Sequence, residues 1–365
     1  MQAVPVQGIE HSVKLSFLRG CAFPFVFVIS RGVSNSMEFF PEGIYLISWF
    51  GAMTATLLAT GIWIPWCIRH DWMDQPGHRK IHKQPIALAG GMALGTALFT
   101  IFGGAWILVA ANLLPSEAVA SLEYGFRQRG LQIIGLVGGM FIMLGIGLWD
   151  DKHLPKPGPK FLAQSLAALL VAACGIKVTL FIENVFFSYL ITWFWILLVV
   201  NACNFVDNMN GLCAGLAAIS ALFFGIHSAL NTHYLVASLA FAVCGALMGF
   251  LPFNFPKAKS FLGDSGSHLT GFLMAILSIL PHFYHEGQPN PLAVISPLPI
   301  LGIFLIDFLW VIFYRLKIGQ PVYQGDNNHL SHKLHQNGNS QRRTVAILWL
   351  IQILLGICSL GLVRS

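Results

Sequence analysis

Short acidic side chains recur in the polar segments that separate the long apolar stretches of this chain. The sequence contains eight aspartates, and seven of them lie in the polar segments that follow every second apolar stretch, while Asp307 lies inside one. Carboxylate oxygens are ligands that Mg²⁺ prefers, and acids gathered at one membrane face suit a site that handles metal and phosphate. The pattern therefore predicts metal-dependent chemistry on anionic substrates at that face.

Two of the polar segments combine acids or amides in spacings that suit ligand binding. Asp150 and Asp151 are adjacent at a predicted helix end. Two adjacent carboxylates repel, so the pKa of one rises unless a cation lies between them, which suits a metal ligand beside a general base. Asn201, Asn204 and Asp207 are spaced three apart, which places them on one face of a helix end. Their oxygens suit Mg²⁺, a nucleobase or sugar hydroxyls.

Two later segments carry groups that can contact phosphate. Asp264, in the sequence Gly-Asp-Ser-Gly, lies at a predicted helix N-terminus, where free backbone N–H groups can receive an anion. An ordinary N-cap is the alternative interpretation of this residue. Further along, His329, His332 and His335 follow one another at a spacing of three. Zinc is one use of that spacing, but no cysteine is near, so contacts with pyrophosphate or a carboxylate are favoured.

The remaining candidate functional residues are basic residues in a polar segment and one acid within a span. Arg79 and Lys80 can hold phosphate oxygens, Arg by two parallel hydrogen bonds and Lys as a point charge. A basic loop that anchors a helix end is the alternative for this segment. Asp307 precedes Arg315 by about two helical turns, and we expect it either to pair with that helix end or to support the site.

The composition is that of a polytopic helical membrane protein and excludes a soluble domain. Of the 365 residues, 56% are hydrophobic and 10% are charged, and the mean hydropathy is +0.69. Because long apolar stretches recur along nearly the whole chain, we predict an all-α integral membrane bundle of about ten transmembrane helices. The predicted spans are about 44–68, 84–112, 131–149, 161–176, 186–203, 211–230, 233–251, 266–283, 291–314 and 343–363.

The distribution of Lys and Arg predicts the orientation in the membrane. Of the 21 Lys and Arg residues, 14 lie in the segments 69–83, 150–160, 252–260 and 315–343, and three lie in loops on the opposite face. The positive-inside rule places the acid-bearing face in the cytoplasm. We therefore predict a multi-pass protein of the plasma (inner) membrane with a cytoplasmic active site. The net charge of +6 would attract anionic substrates, and nothing indicates nucleic-acid binding.

The N-terminal residues are predicted to lie outside the catalytic domain. Residues 1–43 are interpreted as an extension with a short apolar run at 17–30, and residues 44–365 as one multi-span domain. No A-x-A-like site follows a short apolar run, so no cleavable signal peptide is predicted. The seven cysteines show no CxxC pairing, and those in apolar stretches are interpreted as small core residues.

Taken together and in this order, the five polar segments resemble those of the polyprenyl-phosphate N-acetylhexosamine-1-phosphate transferases. The resemblance covers about residues 45–335, and five motifs in register are far more specific than any one of them. The family patterns are D-x-P-x-x-R-K-x-H, an aspartate pair, N-x-x-D, F-x-G-D-x-G-S and a terminal histidine motif. The matching residues are Asp74, Pro76, Arg79, Lys80 and His82; Asp150 and Asp151; Asn204 and Asp207; Phe261, Gly263, Asp264, Gly266 and Ser267; and His329 and His332.

The resemblance implies an enzyme that transfers a sugar-1-phosphate from a UDP-sugar to the phosphate of a polyprenol and releases UMP. It implies Mg²⁺ as the cofactor, with Mn²⁺ as an alternative. The substrates would be undecaprenyl phosphate and a UDP-sugar, and the reaction the first membrane step of cell-envelope polysaccharide synthesis. The chain lacks the triple-histidine segment of the MurNAc-pentapeptide branch, which favours N-acetylglucosamine as the sugar. The oligomeric state stays open, with a homodimer as one option.

On this resemblance we assign roles to the candidate site residues. Asp264 is the strongest metal ligand, with Asp207 beside it. One of Asp150 and Asp151 deprotonates or orients the lipid phosphate, while the other supports the metal. The other assignments are Asn204 and Asp207 to the nucleotide or the metal shell, Phe261 to stacking on uracil, His329 and His332 to the diphosphate, Arg79 to substrate binding, and Lys80 and Lys160 to lipid or leaving-group phosphate.

Three positions depart from the family pattern and keep an alternative open. Asn210 stands where a second Asp is common, Ser331 interrupts a His-x-His-His pattern, and His268 lies one turn after Asp264, where an apolar residue is usual. These departures would alter sugar specificity or weaken activity. An inactive relative that binds lipid-linked sugars is therefore the first alternative.

Two other classes of membrane protein would each require an acid within a span. A polytopic transporter with a proton relay requires acids within the spans, and an intramembrane aspartyl protease built on Asp264 requires a second facing aspartate. Asp307 is the sole candidate for either role, because the other aspartates lie in the polar segments. The transferase is accordingly the favoured prediction.

Overall fold

In a computed structural model of the protein, helices make up nearly all of the regular secondary structure. The structure describes residues 41–76, 84–113, 116–153, 156–179, 182, 184–281, 291–321 and 328–364. The elements are α1 (Glu42–Arg69), β1 (Met73–Asp74), β2 (Ile86–Ala87), α2 (Gly90–Ala110), α3 (Ser116–Gln128), α4 (Gly130–His153), α5 (Pro157–Ala173), α6 (Val185–Val206), α7 (Leu212–Leu230), α8 (Tyr234–Asn254), α9 (Gly263–Ile279), a 3₁₀ helix (Pro291–Ile295), α10 (Pro297–Ile300), α11 (Gly302–Lys317), α12 (Leu330–Gln336) and α13 (Gln341–Arg364). Residues 1–40 lie outside the described residues, so the extension 1–43 stays a prediction.

Seven helices in the described ranges are long and apolar enough to cross a membrane, which confirms the predicted all-α membrane fold. They are α1, α2, α4, α6, α7, α8 and α13. A further pair of helices, Ala293–Ile300 and Gly302–Lys317, is bent by 70° at the break between them. If this pair is one span, the described residues contain eight candidate spans. Helices α5 and α9 have 17 residues each, and at about 1.5 Å per residue they fall short of the ~30 Å hydrocarbon core. The count of ten stays a prediction.

Helix α9 lies at the centre of the bundle. Every residue from Ser265 to Ile279 is buried, and α9 packs against α2, α4, α6 and α7. After Thr270 the helix is apolar on all sides, with a run of Leu, Ile, Phe and Met. A helix of this kind is buried on all sides, which agrees with its central position. The predicted core role of the cysteines is confirmed for Cys67, Cys203, Cys213 and Cys244, which are all buried.

Two segments differ from the expectations drawn from apolar patterning. The second span begins at Gly90 and not near residue 84, because Ile86 and Ala87 pair with β1 in a two-stranded antiparallel sheet. Helix α3 occupies part of the polar stretch between the second and third predicted spans, which was expected to be a loop. It is amphipathic and not uniformly apolar, and an apolar-run criterion therefore passes over it.

Short backbone contacts bring the polar segments at one end of the bundle together. Ala87 bridges to Ser260, and the Ser260 hydroxyl donates to the Ala87 carbonyl at 3.0 Å. The N–H groups of Gly90 and Gly91 donate to the carbonyls of Phe261 and Leu262, both at 3.1 Å. The start of α2 is thereby fixed against the segment that leads into α9.

Candidate active site

The first turn of α9 is held by the carboxylate of Asp151, which projects from the end of α4. One oxygen of Asp151 accepts a hydrogen bond from the Asp264 backbone N–H at 2.6 Å. The other accepts from the Ser265 N–H at 3.1 Å and from the Ser265 hydroxyl at 2.6 Å. A carboxylate at a helix N-terminus satisfies free donors and is favoured by the helix dipole. These two N–H groups are therefore not available to a phosphate, contrary to the expectation above.

Two glycines make this contact between α4 and α9 possible. Gly263 has φ of +74°, a conformation that favours glycine, and an added Cβ would lie 2.9 Å from both carboxylate oxygens of Asp151. A Cβ on Gly147 would lie 2.3 Å from the Cα of Ser265. Position 262, occupied by Leu, is the N-cap of α9 and makes no side-chain cap bond. The alternative that Asp264 is an N-cap is accordingly wrong, and its carboxylate is left to other partners.

The carboxylate of Asp264 lies in a cluster of charged and polar groups. Lys160, near the start of α5, forms an ion pair with Asp150, and its Nζ lies 3.8 Å from an oxygen of Asp264. The same oxygen accepts a hydrogen bond from the Asn204 amide at 2.5 Å. Asn204 also lies 2.9 Å from the Ser267 hydroxyl. The ends of α4 and α6 and the starts of α5 and α9 thus converge on Asp264.

Three side chains in this cluster could together hold a metal ion. One ligand atom each from Asp150, Asp264 and His268 lies within 4.8 Å of the other two. Ligands on opposite sides of a Mg²⁺ lie about 4 Å apart, since each Mg–O distance is about 2.1 Å. Two carboxylate oxygens within 4.8 Å of each other, one of them on a buried side chain, can therefore contact the same divalent cation. The structure thus brings together Asp150, Lys160, Asn204 and Asp264, which the sequence assigned to one site.

Asp207, also assigned to the metal, is not in this group of three within the described part of the chain. It follows α6 directly and is partly buried. Burial raises its pKa to about 8, and the negative charges of Asp264 and Asp151 contribute to the same shift. Asp207 follows Asn204 of the cluster by three residues along the chain, and its role at the metal stays a prediction.

The segment after α6 also joins the cluster to the histidines. The amide oxygen of Asn208 accepts a hydrogen bond from the Ser331 hydroxyl at 2.7 Å. The Phe205 ring lies edge-on to the His329 ring, with centroids 6.0 Å apart. Ser331, which departs from the family pattern, therefore has a hydrogen-bond partner in Asn208, the residue that follows the N-x-x-D motif. This bond fixes α12 next to the Asp264 cluster.

His329 is oriented by the acid within the ninth predicted span. Its Nδ1 lies 2.7 Å from one oxygen of Asp307, and the other oxygen accepts from the Leu330 N–H at 2.7 Å. Asp307 thus supports the candidate site, as one of the two sequence alternatives proposed. His332 lies next to His329, with ring centroids 6.0 Å apart. His335 is exposed and bonds to the Asn339 carbonyl, so the zinc interpretation gains no support.

Several assignments are not settled by the described residues. Arg79 and Lys80 lie outside them, so their roles stay predictions. Phe261 is partly exposed, and its backbone N–H donates to the Ala87 carbonyl at 2.9 Å. Its stacking on uracil likewise stays a prediction. The hydrogen bond to Ala87 fixes the backbone of Phe261 beside the start of α9.

Sequence reasoning treated His268 as a departure and missed it as a member of the cluster. The spacing of four between Asp264 and His268 is a signal that could have paired them, because residues four apart face the same side of a helix. The bonds of Asp151 to α9 gave no comparable signal, since its partners are 113 and 114 residues away.

Comparison with known proteins matches residues 133–282 to glycosyl transferase family 4. A probable undecaprenyl-phosphate N-acetylglucosaminyl 1-phosphate transferase of Bacillus subtilis is 28% identical over 325 residues, covering 87% of this chain and 84% of the relative. A decaprenyl-phosphate N-acetylglucosaminephosphotransferase of Mycolicibacterium smegmatis is 32% identical over 329 residues, covering 82% and 77%. A phospho-N-acetylmuramoyl-pentapeptide-transferase of Leuconostoc citreum is 30% identical over 243 residues, covering 63% and 75%.

The family match includes the helices that carry Asp150, Lys160, Asn204 and Asp264. The similarity to the mycobacterial relative covers most of both chains. The predicted resemblance is thereby confirmed, and the chain belongs to glycosyl transferase family 4, the polyprenyl-phosphate N-acetylhexosamine-1-phosphate transferases.

Proposed function

We propose that the protein transfers N-acetylglucosamine-1-phosphate from UDP-N-acetylglucosamine to a polyprenyl phosphate, undecaprenyl phosphate in the simplest case, and releases UMP. The observation that carries the proposal is the convergence of Asp150, Lys160, Asn204 and Asp264 at one end of a membrane bundle. Both substrates are anions, so a site that combines metal-binding carboxylates with a lysine suits their reaction. The relatives of Bacillus subtilis and Mycolicibacterium smegmatis are named for the same type of transfer.

The reaction exchanges one phosphoanhydride bond for another. An oxygen of the lipid phosphate bonds to the β-phosphorus of the UDP-sugar, the bond from that phosphorus to the bridging oxygen breaks, and UMP leaves with the bonding electron pair. A divalent cation, Mg²⁺ or Mn²⁺, supplies neutralisation of the diphosphate charge when bound. Asp264 and Asp150 would hold that cation, and Asn204 orients the Asp264 carboxylate through its amide.

The structure suggests different tasks for the two adjacent acids. Asp151 accepts three hydrogen bonds from the first turn of α9 and so positions Asp264. Asp150 pairs with Lys160, and we assign the ammonium group of Lys160 to an oxygen of the lipid phosphate. A phosphate monoester has a second pKa of about 6 and is mostly a dianion at neutral pH. The attacking oxygen therefore needs no general base, and neither acid has to remove a proton.

The histidines are proposed to contact the donor diphosphate. Asp307 holds Nδ1 of His329, which leaves the other ring nitrogen for the substrate. His332 lies beside it on α12, and Asn208 links α12 to the segment that carries Asn204. Because Lys and Arg are concentrated at this end of the chain's spans, we place the site on the cytoplasmic face of the plasma membrane, where a UDP-sugar is met.

The experiment is UMP release by the purified full-length protein in detergent. Undecaprenyl phosphate, Mg²⁺ and a panel of UDP-sugars beginning with UDP-N-acetylglucosamine are supplied. We expect UMP that requires both lipid and divalent cation, and none from Asp264→Asn at equal folded yield. Folded wild-type protein that releases no UMP from any donor would instead indicate the inactive lipid-binding relative.

A further inference from the structure

His268 is a fully buried histidine at the candidate metal site. Its side chain has 0% exposure, and its Nδ1 lies 2.6 Å from the backbone carbonyl of Asp264. A carbonyl oxygen can only accept a hydrogen bond, so Nδ1 carries the proton and the neutral ring has a lone pair on Nε2. Among the described residues Nε2 is buried and has no hydrogen-bond partner. Buried polar atoms are rarely left unsatisfied, which points to a ligand for this nitrogen.

The surroundings of the ring favour a cation as that ligand. A ligand nitrogen of His268 lies within 4.8 Å of carboxylate oxygens of both Asp150 and Asp264. Two carboxylates and an imidazole within this distance of one another form a candidate metal-ligand set of mixed oxygen and nitrogen atoms. Contact with the Asp264 carbonyl also fixes the tautomer and the ring, as it does for metal-binding histidines that donate their other N–H to a carbonyl.

We propose that His268 is a nitrogen ligand of the divalent cation and shifts the metal preference from Mg²⁺ towards first-row transition-metal ions such as Mn²⁺. This proposal rests on the proposed function, since it takes the cation at Asp264 to be the one used in transfer. Mg²⁺ keeps oxygen ligands and gains little from an imidazole, whereas transition-metal ions accept nitrogen as well as oxygen. Two carboxylates alone suit Mg²⁺ and Mn²⁺ alike, so the imidazole is the ligand that separates the two ions.

Mn²⁺ is the probe that tests this directly, because it is paramagnetic and needs no substrate. Full-length protein in detergent is loaded with Mn²⁺, and coupling of the electron spin to ¹⁴N is measured by pulsed electron paramagnetic resonance. We expect directly bound ¹⁴N in the wild type and its loss in His268→Gln and His268→Leu. Gln can still donate to the Asp264 carbonyl, so it preserves the local bond. His335→Gln, an exposed histidine that also bonds a backbone carbonyl, is the matched control and keeps the coupling.

Competition between the two cations gives a second readout. We expect the ratio of Mg²⁺ to Mn²⁺ dissociation constants to fall by roughly tenfold in both His268 variants, with the His335→Gln ratio unchanged. Absence of ¹⁴N coupling in the wild type, or coupling that persists in both His268 variants, would overturn the nitrogen ligand. Asp264→Asn tests the location, since bound Mn²⁺ that is unaffected by it lies elsewhere and also overturns the proposal. UMP release with Mg²⁺ is a separate assay, so loss of this proposal leaves the proposed function standing.

Discussion

The ammonium group of Lys160 reaches both acids of the candidate metal site. It pairs with Asp150 and lies 3.8 Å from Asp264. A cation between two carboxylates offsets their repulsion, and it can turn to an incoming phosphate when a metal takes over that role. At the scale of residues, the chemistry depends on whether Lys160 or the metal neutralises Asp150 and Asp264 at each step of the reaction.

Replacing Lys160 by Gln should weaken binding of the lipid substrate more than it affects the metal. A charge-assisted hydrogen bond contributes about 1.5–3 kcal/mol, so we expect KM for undecaprenyl phosphate to rise roughly tenfold to a hundredfold. Initial rates of UMP release against lipid concentration measure this. Lys156→Gln removes an exposed lysine of the same segment and should leave KM unchanged. Equal KM values for the two variants would contradict the role of Lys160.

The raised pKa of Asp207 predicts how stability without metal depends on pH. The folded pKa of Asp207, about 8, exceeds the ordinary value of 3.8. The protonated carboxyl therefore contributes to the free energy of unfolding at low pH, and this contribution is lost as the pH rises through 8. Between pH 7 and pH 9 this loss amounts to about 1.4 kcal/mol. Thermal unfolding in detergent with a chelator should show a falling midpoint over that range. Asp207→Asn should flatten the dependence, and an unchanged slope in that variant would remove Asp207 as its cause.

Residue types and spacings predicted much of the candidate site. The spacing of acids and amides indicated Asp150, Asn204 and Asp264, and the family resemblance added Lys160. The structure places these four residues together. The division of tasks between the two adjacent acids could not be predicted. It depends on which carboxylate points at α9, and that follows from a packing contact between helices distant in the sequence.

At the scale of elements, polar side chains from one helix fix the ends of another. Asp151 of α4 holds the first turn of α9, and Asp307 of α11 holds the start of α12. Both contacts involve a carboxylate and backbone N–H groups at a helix N-terminus, where the dipole favours negative charge. The positions of Asp264 and His329 therefore depend on acids that need not touch a substrate.

Substitution Asp151→Asn should displace the first turn of α9. The amide keeps one acceptor oxygen, but its NH₂ group faces donors, so at least one bond to Asp264 or Ser265 is lost. We expect destabilisation of about 2 kcal/mol and a loss of at least a hundredfold in turnover, because a shift of about 1 Å in a catalytic group has that effect. Thermal midpoint and UMP release check it against Asp71→Asn, an exposed aspartate. A variant with wild-type turnover would contradict the positioning of α9 by Asp151.

Substitution Asp307→Asn tests the orientation of His329. The amide oxygen can accept from His329 or from the Leu330 N–H, but its nitrogen cannot replace the second acceptor. Loss of such supporting bonds typically lowers activity tenfold to a hundredfold, so we expect that fall in kcat with little change in KM. A KM effect alone would show that Asp307 acts on substrate binding.

Apolar runs predicted the long helices well and the connecting elements poorly. Helices α1, α6, α7, α8 and α13 follow predicted spans within a few residues, because burial in lipid requires continuous apolar sequence. The two-residue strands at residues 73–74 and 86–87 have no such signature, because they are too short for an alternating pattern. The bridge from Ala87 to Ser260 joins residues far apart in the sequence and has no local signal either. The 70° break before Gly302 also has no unambiguous signal in a stretch that is apolar throughout.

On the scale of the whole molecule, the apolar bundle faces the lipid and its polar end carries the candidate site. Exposed leucines, isoleucines and phenylalanines cover the spans, as expected for helices that face lipid. The candidate site lies where the ends of α4 and α6 meet the starts of α5 and α9. Such a site can meet a lipid phosphate at the membrane surface and a water-soluble nucleotide at the same time.

The central claim is that the sugar moves together with its β-phosphate, and one isotope measurement tests it. Purified protein is given undecaprenyl phosphate, Mg²⁺ and UDP-N-acetylglucosamine labelled with ³²P at the β-phosphate. We expect the label to enter the lipid fraction and UMP to be released in equal amount, with neither result in Asp264→Asn. Label that stays in the water phase as UDP while sugar enters the lipid would contradict it, because the bond broken would then be the one between sugar and phosphate.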